Sequence, residues 1–478
     1  MLAQMPQELE SLIQRGLPET EDEAQEIAQI LLQYGSEILA LYLLALSENL
    51  QEKSIPPSTP SGMTPPYLKE NKKEKDTQIK KKKTSNGQHR PKPEEIKRKE
   101  EHQLEHCPDC GNALNKMKGK HSVRTRYIED LPPTIEPEIT EHSIHRDYCP
   151  HCQKFVEPKI PDALPKSNIG NRAATLSACL HYELGMTGSQ ITSVFNDLFH
   201  FPITEGGLFK IWHKVSDILV PWYDQIGEEI LQSAVLHGDE SGWRVDGQTY
   251  WIWCFACSHS TYYMIDPSRG FDALSKFLHE TFDGILVTDF LNVYDKIRCA
   301  DRQYCIAHLL RELEKVNQSN LSDEWMDFSK KLKRLLQDAI RLKAREDFHP
   351  DQFTARIQRF HERLLDLAFG EYKDRDTKRL AKRLDKYWDG IFTFLEHMDV
   401  PATNNHVERE IRFAVLIRKI TYGNRSEKGA LTQSILMTIF RTLKRRGYHP
   451  VEVIESALRE YILTGKLPPF PQPITSDE

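Results

Sequence analysis

The chain has 478 residues, 39% of them hydrophobic, 28% charged and 9% aromatic, a globular balance in a length that suits three or four domains. Its longest strongly apolar run, 38–46, is nine residues long, well short of the roughly 20 that a membrane span needs. The first thirty residues are acidic instead of basic and then apolar, so no signal peptide is expected. A cytoplasmic protein without membrane contact follows, whose nine cysteines are thiols or metal ligands, not disulfides.

The net charge of −6 argues at first against a nucleic-acid partner. Its distribution does not: residues 69–99 hold thirteen Lys and Arg against five Asp and Glu, a local charge of +8 that leaves −14 elsewhere. Such a run is either a counterion-releasing DNA contact or a solvated linker.

Taken in order, 1–52 reads as an N-terminal helical region. Ile27, Ile30, Leu31 and Tyr34, then Ile38, Leu41, Leu44 and Ala45, recur at three- and four-residue steps. So rich a stripe packs on the main body or pairs with a second copy. Residues 53–100 form a Pro-rich and basic linker without apolar periodicity. In 101–158 two knuckles follow, Cys107-Pro-Asp-Cys110 and Cys149-Pro-His-Cys152. Each can present two thiolates to one tetrahedral ion, which predicts a zinc-ribbon-like Zn²⁺ module. His102, His106, His142, His145 and His151 lie nearby and read as solvated. Cys254 and Cys257 share the spacing but sit in a continuous apolar run, which makes them core residues.

Residues 159–225 are helical. A turn at 200–203 and a good N-cap at Thr204 precede Lys210, His213 and Lys214. That pattern fits a helix-turn-helix-like DNA-binding segment, or equally a small bundle. In 226–320 strand patterns appear at 234–239, 249–257, 261–266, 284–289 and 303–307, with one helix at 271–282. Three strands, a helix, a strand ending in Asp and a further strand is the order of a ribonuclease-H-like sheet. Residues 321–400 read as an all-helical insertion and 401–447 as the rest of the core, with helices at 405–420 and 430–446; 448–478 is a C-terminal tail region. The fold class is therefore multidomain α+β: a ribonuclease-H-like α/β core with a helical insertion, preceded by the zinc and helix-turn-helix-like segments.

Asp239 lies in the first strand, Asp289 at the end of the fourth, and Glu408 near the start of the helix at 405–420. Two hard cations between such carboxylates could activate a nucleophile and stabilise the leaving oxygen of a phosphodiester, and Mg²⁺ or Mn²⁺ accepts oxygen ligands of this kind. The plain alternatives are strand-end Asp caps and a capping pair between Asn405 and Glu408. Helical spacing puts Glu408, Arg412 and Lys419 on one face, where the cations could hold DNA phosphates; Glu410 points about 200° away.

The motifs His-Gly-Asp-Glu-Ser-Gly-Trp-Arg-Val, Leu-Val-Thr-Asp-Phe, Gln-Tyr-Cys-Ile-Ala-His-Leu-Leu-Arg-Glu-Leu and Thr-Asn-Asn-His-Val-Glu-Arg-Glu-Ile-Arg, with the paired knuckles, run through nearly the whole chain. In these it resembles a bacterial insertion-sequence transposase of the IS sixty-six family, the large TnpC type. The resemblance implies a DDE enzyme whose catalytic, metal-holding acids are Asp239, Asp289 and Glu408; Arg409, Arg412 and Lys419 on the same helix as Glu408 are the candidate DNA-binding residues. It implies that Cys305 and His308 support the active site structurally. It further implies binding of terminal inverted repeats and target DNA, a homodimer or higher oligomer on DNA, accessory proteins from the same element, and nucleoid association. Two other readings stay open: a nuclease of the same fold without strand transfer, and a non-catalytic zinc-containing DNA-binding protein.

Overall fold

The computed structural model describes residues 96, 99, 104, 106, 108–113, 135–344 and 350–474. The chain divides into two units, 1–130 and 131–478, each taken by itself. In the first, a turn at 108–110 leads to Gly111 at φ 74°, and His106 bridges Ala113. The helical region expected at 1–52 and Cys107 lie outside the described residues, as does the linker apart from residues 96 and 99.

The second unit opens with a small antiparallel hairpin, β1 (Asp147–Cys149) and β2 (Lys154–Val156). Helices α1 (Asn171–Tyr182), α2 (Gly188–Ser193) and α3 (Glu205–Leu231) follow. A capping box starts α2: Gln190 N–H donates to Thr187 Oγ1 at 3.2 Å, and Thr187 N–H donates to Gln190 Oε1 at 2.9 Å. Thr204 caps α3 as its sequence predicts, accepting from Gly207 N at 3.2 Å. Of the cations expected to face a DNA groove, Lys210 is exposed. His213 instead meets Thr432 Oγ1 at 2.7 Å, and Lys214 donates to the Pro165 carbonyl at 3.3 Å.

Strands β3 (Val235–Val245), β4 (Gln248–Ala256), β5 (Thr261–Asp266), β6 (Thr281–Thr288) and β7 (Arg298–Tyr304) make one sheet in the order β5-β4-β3-β6-β7. The first three are antiparallel; β6 and β7 run parallel to β3. Strand β3 continues well past 239 because Asp246 and Gly247, at φ 48° and 72°, make a two-residue turn into β4 whose left-handed residues match the strand twist. Helix α4 (Phe271–Leu278) is a turn shorter than expected, and His279 at φ 53° ends it. Strand β7 begins at Arg298, not 303: as an edge strand of Arg-Cys-Ala-Asp-Arg-Gln-Tyr it lacks apolar alternation. Residues 306–307, expected at its end, instead open helix α5 (Ile306–Val316), driven by burial of Ile306, Leu309 and Leu313 at helical steps.

Helices α6 (Asp323–Lys343), α7 (Pro350–Ala368), α8 (Arg375–Tyr387) and α9 (Thr393–Glu396) lie between α5 and the last core helices. They have a core of their own. Trp325, Phe328, Leu332, Leu335 and Leu336 of α6 pack with Leu380, Leu384, Phe392 and Phe394, and reach the sheet through Val287. Each fully buried Leu or Phe stabilises this by about 1.5–3 kcal/mol relative to exposure.

Helices α10 (Asn405–Thr421), α11 (Glu427–Arg445) and α12 (Pro450–Thr464) complete the unit. Pro450 begins α12, which lies on α1, so the region after 447 is in part helical. Helix α11 seals the β5 edge of the sheet. The amides of Thr261, Tyr263 and Ile265 donate to Thr442 Oγ1, Thr438 Oγ1 and Ser434 Oγ at 3.1, 2.9 and 3.2 Å. Two strand residues advance about 6.6 Å and four helix residues about 6 Å, so hydroxyls four apart meet amides two apart. A bare row of amides would otherwise invite pairing with another chain.

Candidate functional site

The parallel register of β3 and β6 pairs Val235 with Ile285, Leu236 with Leu286 and His237 with Val287. Two residues farther along each strand come Asp239 and Asp289, so two carboxylates leave the sheet at the same level. Side chains alternate along a strand, so Asp239 shares a face with His237 while Glu240 takes the other. Buried Val407, Ile411 and Ala414 seat α10 against the core, and Glu408 lies close enough to Asp239 for their charges to interact.

Asn404 holds these parts in place. Fully buried, it accepts on Oδ1 from His237 Nδ1 at 2.9 Å and donates through Nδ2 to the Gly238 carbonyl at 2.8 Å. Its backbone N–H donates to Cys305 Sγ at 3.1 Å, and its carbonyl accepts from Glu408 N at 3.1 Å. One residue therefore ties β3, the start of α5 and the first turn of α10 together. Because its Nδ2 is committed to Gly238, its Oδ1 requires the proton on His237 Nδ1. Burial pushes the His237 pKa down to about 4, which keeps that ring neutral.

Helix α10 starts at Asn405, which makes Val407 its third residue and places Glu408 one position too late for a capping box. The Glu408 carboxylate instead accepts from Arg311 Nη2 at 2.9 Å. It lies 3.8 Å from His308 Nδ1 and 4.0 Å from Cys305 Sγ.

Four acids, Glu240 from the opposite face of β3, are thus near enough for their charges to interact. Burial raises the Asp239 pKa well above its ordinary range, and like charge from Glu240, Asp289 and Glu408 adds to it; only the Glu240 N–H on Oδ1, at 2.9 Å, acts the other way. Glu240 is raised too, by burial and Asp289, against the hydrogen bonds of Arg269 at 2.7 and 3.1 Å and of Tyr294 OH at 3.3 Å. Among the described residues no cationic side chain pairs with Asp239 or Asp289. Oxygen donors with an excess of negative charge suit a hard divalent cation.

The oxygens of Asp239, Asp289 and Glu408 do not all fall within 4.8 Å of one another; the donors of Cys305, His308 and Glu408 do. Two ions a few ångströms apart do not demand tighter convergence of the three acids. The sulfur-containing trio is a poorer metal shell. Burial pushes the Cys305 thiol up, its sulfur already accepts the Asn404 N–H, and Arg311 occupies the carboxylate. Asp301, Glu396 and His397 form a second cluster at the surface, where His397 Nε2 meets Asp301 Oδ2 at 3.2 Å.

Arg409, Arg412 and Lys419 are exposed on α10. Glu410 is buried, and Arg441 at 2.9 Å, Arg445 at 3.2 Å and Tyr263 OH at 3.2 Å neutralise and cap it. It is part of the packing between α10 and α11. Cys254 is fully buried in β4, as a core residue should be. Cys149 and Cys152 flank the β1–β2 turn, where the Cys152 N–H donates to Cys149 Sγ at 3.4 Å and lowers that thiol's pKa. Cys110 is exposed on the first unit.

Sequence reasoning missed Asn404, Glu240, Tyr294 and Arg311. The doublets Asn404-Asn405 and Asp239-Glu240 were available as signals, and Arg311 follows His308 by one helical step. Which member of each pair faces the site is set by burial, which the doublets do not show.

A mixed sheet with one acid within β3, a second just past the end of its parallel neighbour β6, and a third on a helix packed on β3, defines a mixed α/β protein with clustered carboxylates at its candidate site. The chain belongs to the Transposase IS66 family, which matches residues 166–432, more than half its length, and that stretch contains Asp239, Asp289 and Glu408. Two curated proteins of Sinorhizobium fredii (strain NBRC 101917 / NGR234) are similar. Uncharacterized protein y4qI is 24% identical over 234 residues, 44% of this chain and 43% of that protein. Uncharacterized protein y4jO is 30% identical over 98 residues, 20% of this chain and 30% of that protein. The chain thus spans less than half the length of these relatives. No helix among the described residues is long and apolar enough to cross a membrane.

Proposed function

We propose that this chain is the DDE-type DNA transposase of an insertion sequence, working in the cytoplasm on the nucleoid. The strand order β5-β4-β3-β6-β7, antiparallel then parallel, supports a ribonuclease-H-like catalytic core. The observation that carries the reading is the β3–β6 register, which sets Asp239 beside Asp289, with Glu408 brought up by α10.

Asp239, Asp289 and Glu408 would hold Mg²⁺ or Mn²⁺. Such ions, when bound, supply an activated nucleophile and stabilise charge on the scissile phosphate. Asn404 keeps the strand and helix acids in mutual register, and Arg269 and Arg311 balance the outer carboxylates. Arg409, Arg412 and Lys419 take the phosphates of terminal inverted repeats and target DNA. The same acids serve two steps: hydrolysis, which frees a 3′-OH, and attack of that hydroxyl on target DNA. Cys107, Cys110, Cys149 and Cys152 would be the ligands of a Zn²⁺ ion, a role that the Cys152 N–H on Cys149 Sγ favours by stabilising a thiolate. The working form is a dimer or higher oligomer on DNA, with accessory proteins of the same element as partners.

Asp239→Ala and Glu408→Ala are expected to abolish joining of pre-cut ends while binding of terminal repeats persists. Full joining by either variant would overturn the assignment, and cleavage without joining by the wild type would reduce it to a nuclease. Cys107→Ser and Cys149→Ser should each lower bound zinc; unchanged zinc content would reject that ligand set.

A further inference from the structure

Helix α8 belongs to the helical insertion and takes no part in the site described above. Its Arg375, Lys378, Arg379 and Lys382 follow steps of three, one and three, which places them on one face. With Lys373 they line a depression of about 450 Å³. All five are exposed. Arg379 is held by Glu312 and by Asp376 at 3.5 Å, whereas the other four form no ion pair with a described residue. A face that gathers cations and leaves most of them uncompensated repels itself, which is a cost unless an anion shares it.

The opposite end of the same helix is docked beside the carboxylates. Arg383 lies over the ring of Phe290, the residue after Asp289, at 5.5 Å. Lys386 Nζ meets Asp295 Oδ2 at 2.6 Å, and Tyr387 OH donates to Asn292 Oδ1 at 3.3 Å. The 289–296 loop also carries Tyr294, which bonds Glu240. From Lys382 back to Arg375 the helix rises about 10 Å at 1.5 Å per residue. That length corresponds to about three base-pair steps of a duplex at about 3.4 Å each along its axis.

We infer that this face of α8 is a track for the phosphate backbone of duplex DNA, leading from the insertion to the carboxylate cluster. The inference rests on the reading that the carboxylates act on DNA and adds a surface to it. The track touches phosphates alone, so it carries no sequence preference.

The test is binding of the full-length chain to a labelled duplex of mixed sequence, followed by anisotropy across a salt series. Lys378→Ala/Lys382→Ala is expected to weaken binding and to reduce the slope of log affinity against log salt by about 2, close to one for each phosphate that the variant no longer neutralises. Lys373→Ala/Arg375→Ala should act in the same direction. Both pairs are exposed, so unfolding midpoints should stay unchanged. A charge-matched control, Lys444→Ala/Lys466→Ala, should keep the wild-type slope. Wild-type affinity and slope in both α8 variants, with a wild type that binds and cleaves DNA, would overturn the track and leave the transposase reading standing. An equal loss in the control would overturn it too. A wild type that neither binds the duplex nor cleaves it would overturn both.

Discussion

Asn404 donates its side-chain amide to the carbonyl oxygen of Gly238 at 2.8 Å, and through that bond α10 is registered on β3 one residue before Asp239. Removing the amide leaves the Gly238 carbonyl and His237 Nδ1–H without partners in a fully buried place, at about 1–3 kcal/mol for each group. Asn404→Ala should therefore lower unfolding stability by several kcal/mol in urea titrations. DNA cleavage should fall by about 100-fold, the scale set by an ångström of misplacement. Wild-type cleavage in this variant would remove the positioning role.

The two acids of α10's first turns should behave in opposite ways. Glu410→Gln uncouples Arg441 and Arg445 from their carboxylate in the packing between α10 and α11, and breaking a buried pair costs about 3–5 kcal/mol. Glu408→Gln should cost little stability and all of the cleavage. Comparing melting curves and end-joining for the pair separates structure from chemistry. An active Glu408→Gln would reassign the third acid.

Asp239→Asn is expected to stabilise the fold at neutral pH in the presence of a chelator. The folded-state pKa of Asp239 is raised, first by burial and then by Glu240 and Asp289, so its ionised form costs folding energy at pH 7. That cost fades as pH falls through the raised value and is gone below the unfolded value of about 3.9. The difference in melting temperature between variant and wild type should be widest near neutrality and close on acidification. Each kcal/mol relieved corresponds to at most about 2–4 °C. A variant less stable at pH 7 would mean that the charge is compensated.

On the proposed metal assignment, Arg311 and a divalent cation would compete for the Glu408 carboxylate. Arg311→Ala should tighten Mn²⁺ binding in calorimetry by up to about fivefold, since a half-exposed guanidinium pair contributes about 0.2–1 kcal/mol. Unchanged or weaker binding would show that the arginine is not a competitor.

Thr438→Val removes the hydroxyl that accepts the Tyr263 amide while keeping the side chain's volume. The buried N–H left behind predicts a loss of about 1–3 kcal/mol, measured by chemical unfolding, with cleavage per folded molecule unchanged. A neutral outcome would mean that the β5 edge finds other partners.

Much of the second unit was legible because its signals are local. Thr204 announces the start of α3, and the leucines of α6 recur with the helical period. The runs leading into Asp239 and Asp289 are apolar enough to read as buried strands. The misreadings fell where local signals conflict with position in the sheet. Strand β7 is polar because it is an edge, and residues 306–307 belong to the start of α5 because Ile306, Leu309 and Leu313 bury a helical stripe.

By itself, the sequence singled out the candidates for the chemistry: three carboxylates on recognisable elements, four knuckle cysteines and a basic face on α10. The tertiary structure alone decided which of them meet. Register between parallel strands set Asp239 level with Asp289, and burial separated Glu408 from Glu410 and turned Asn404 into the clamp of the site. The physical reason is range. Helix and strand periodicities are written within a few residues, whereas 166 positions separate the partners of the Asn404–Gly238 bond, and only the packed core brings them together.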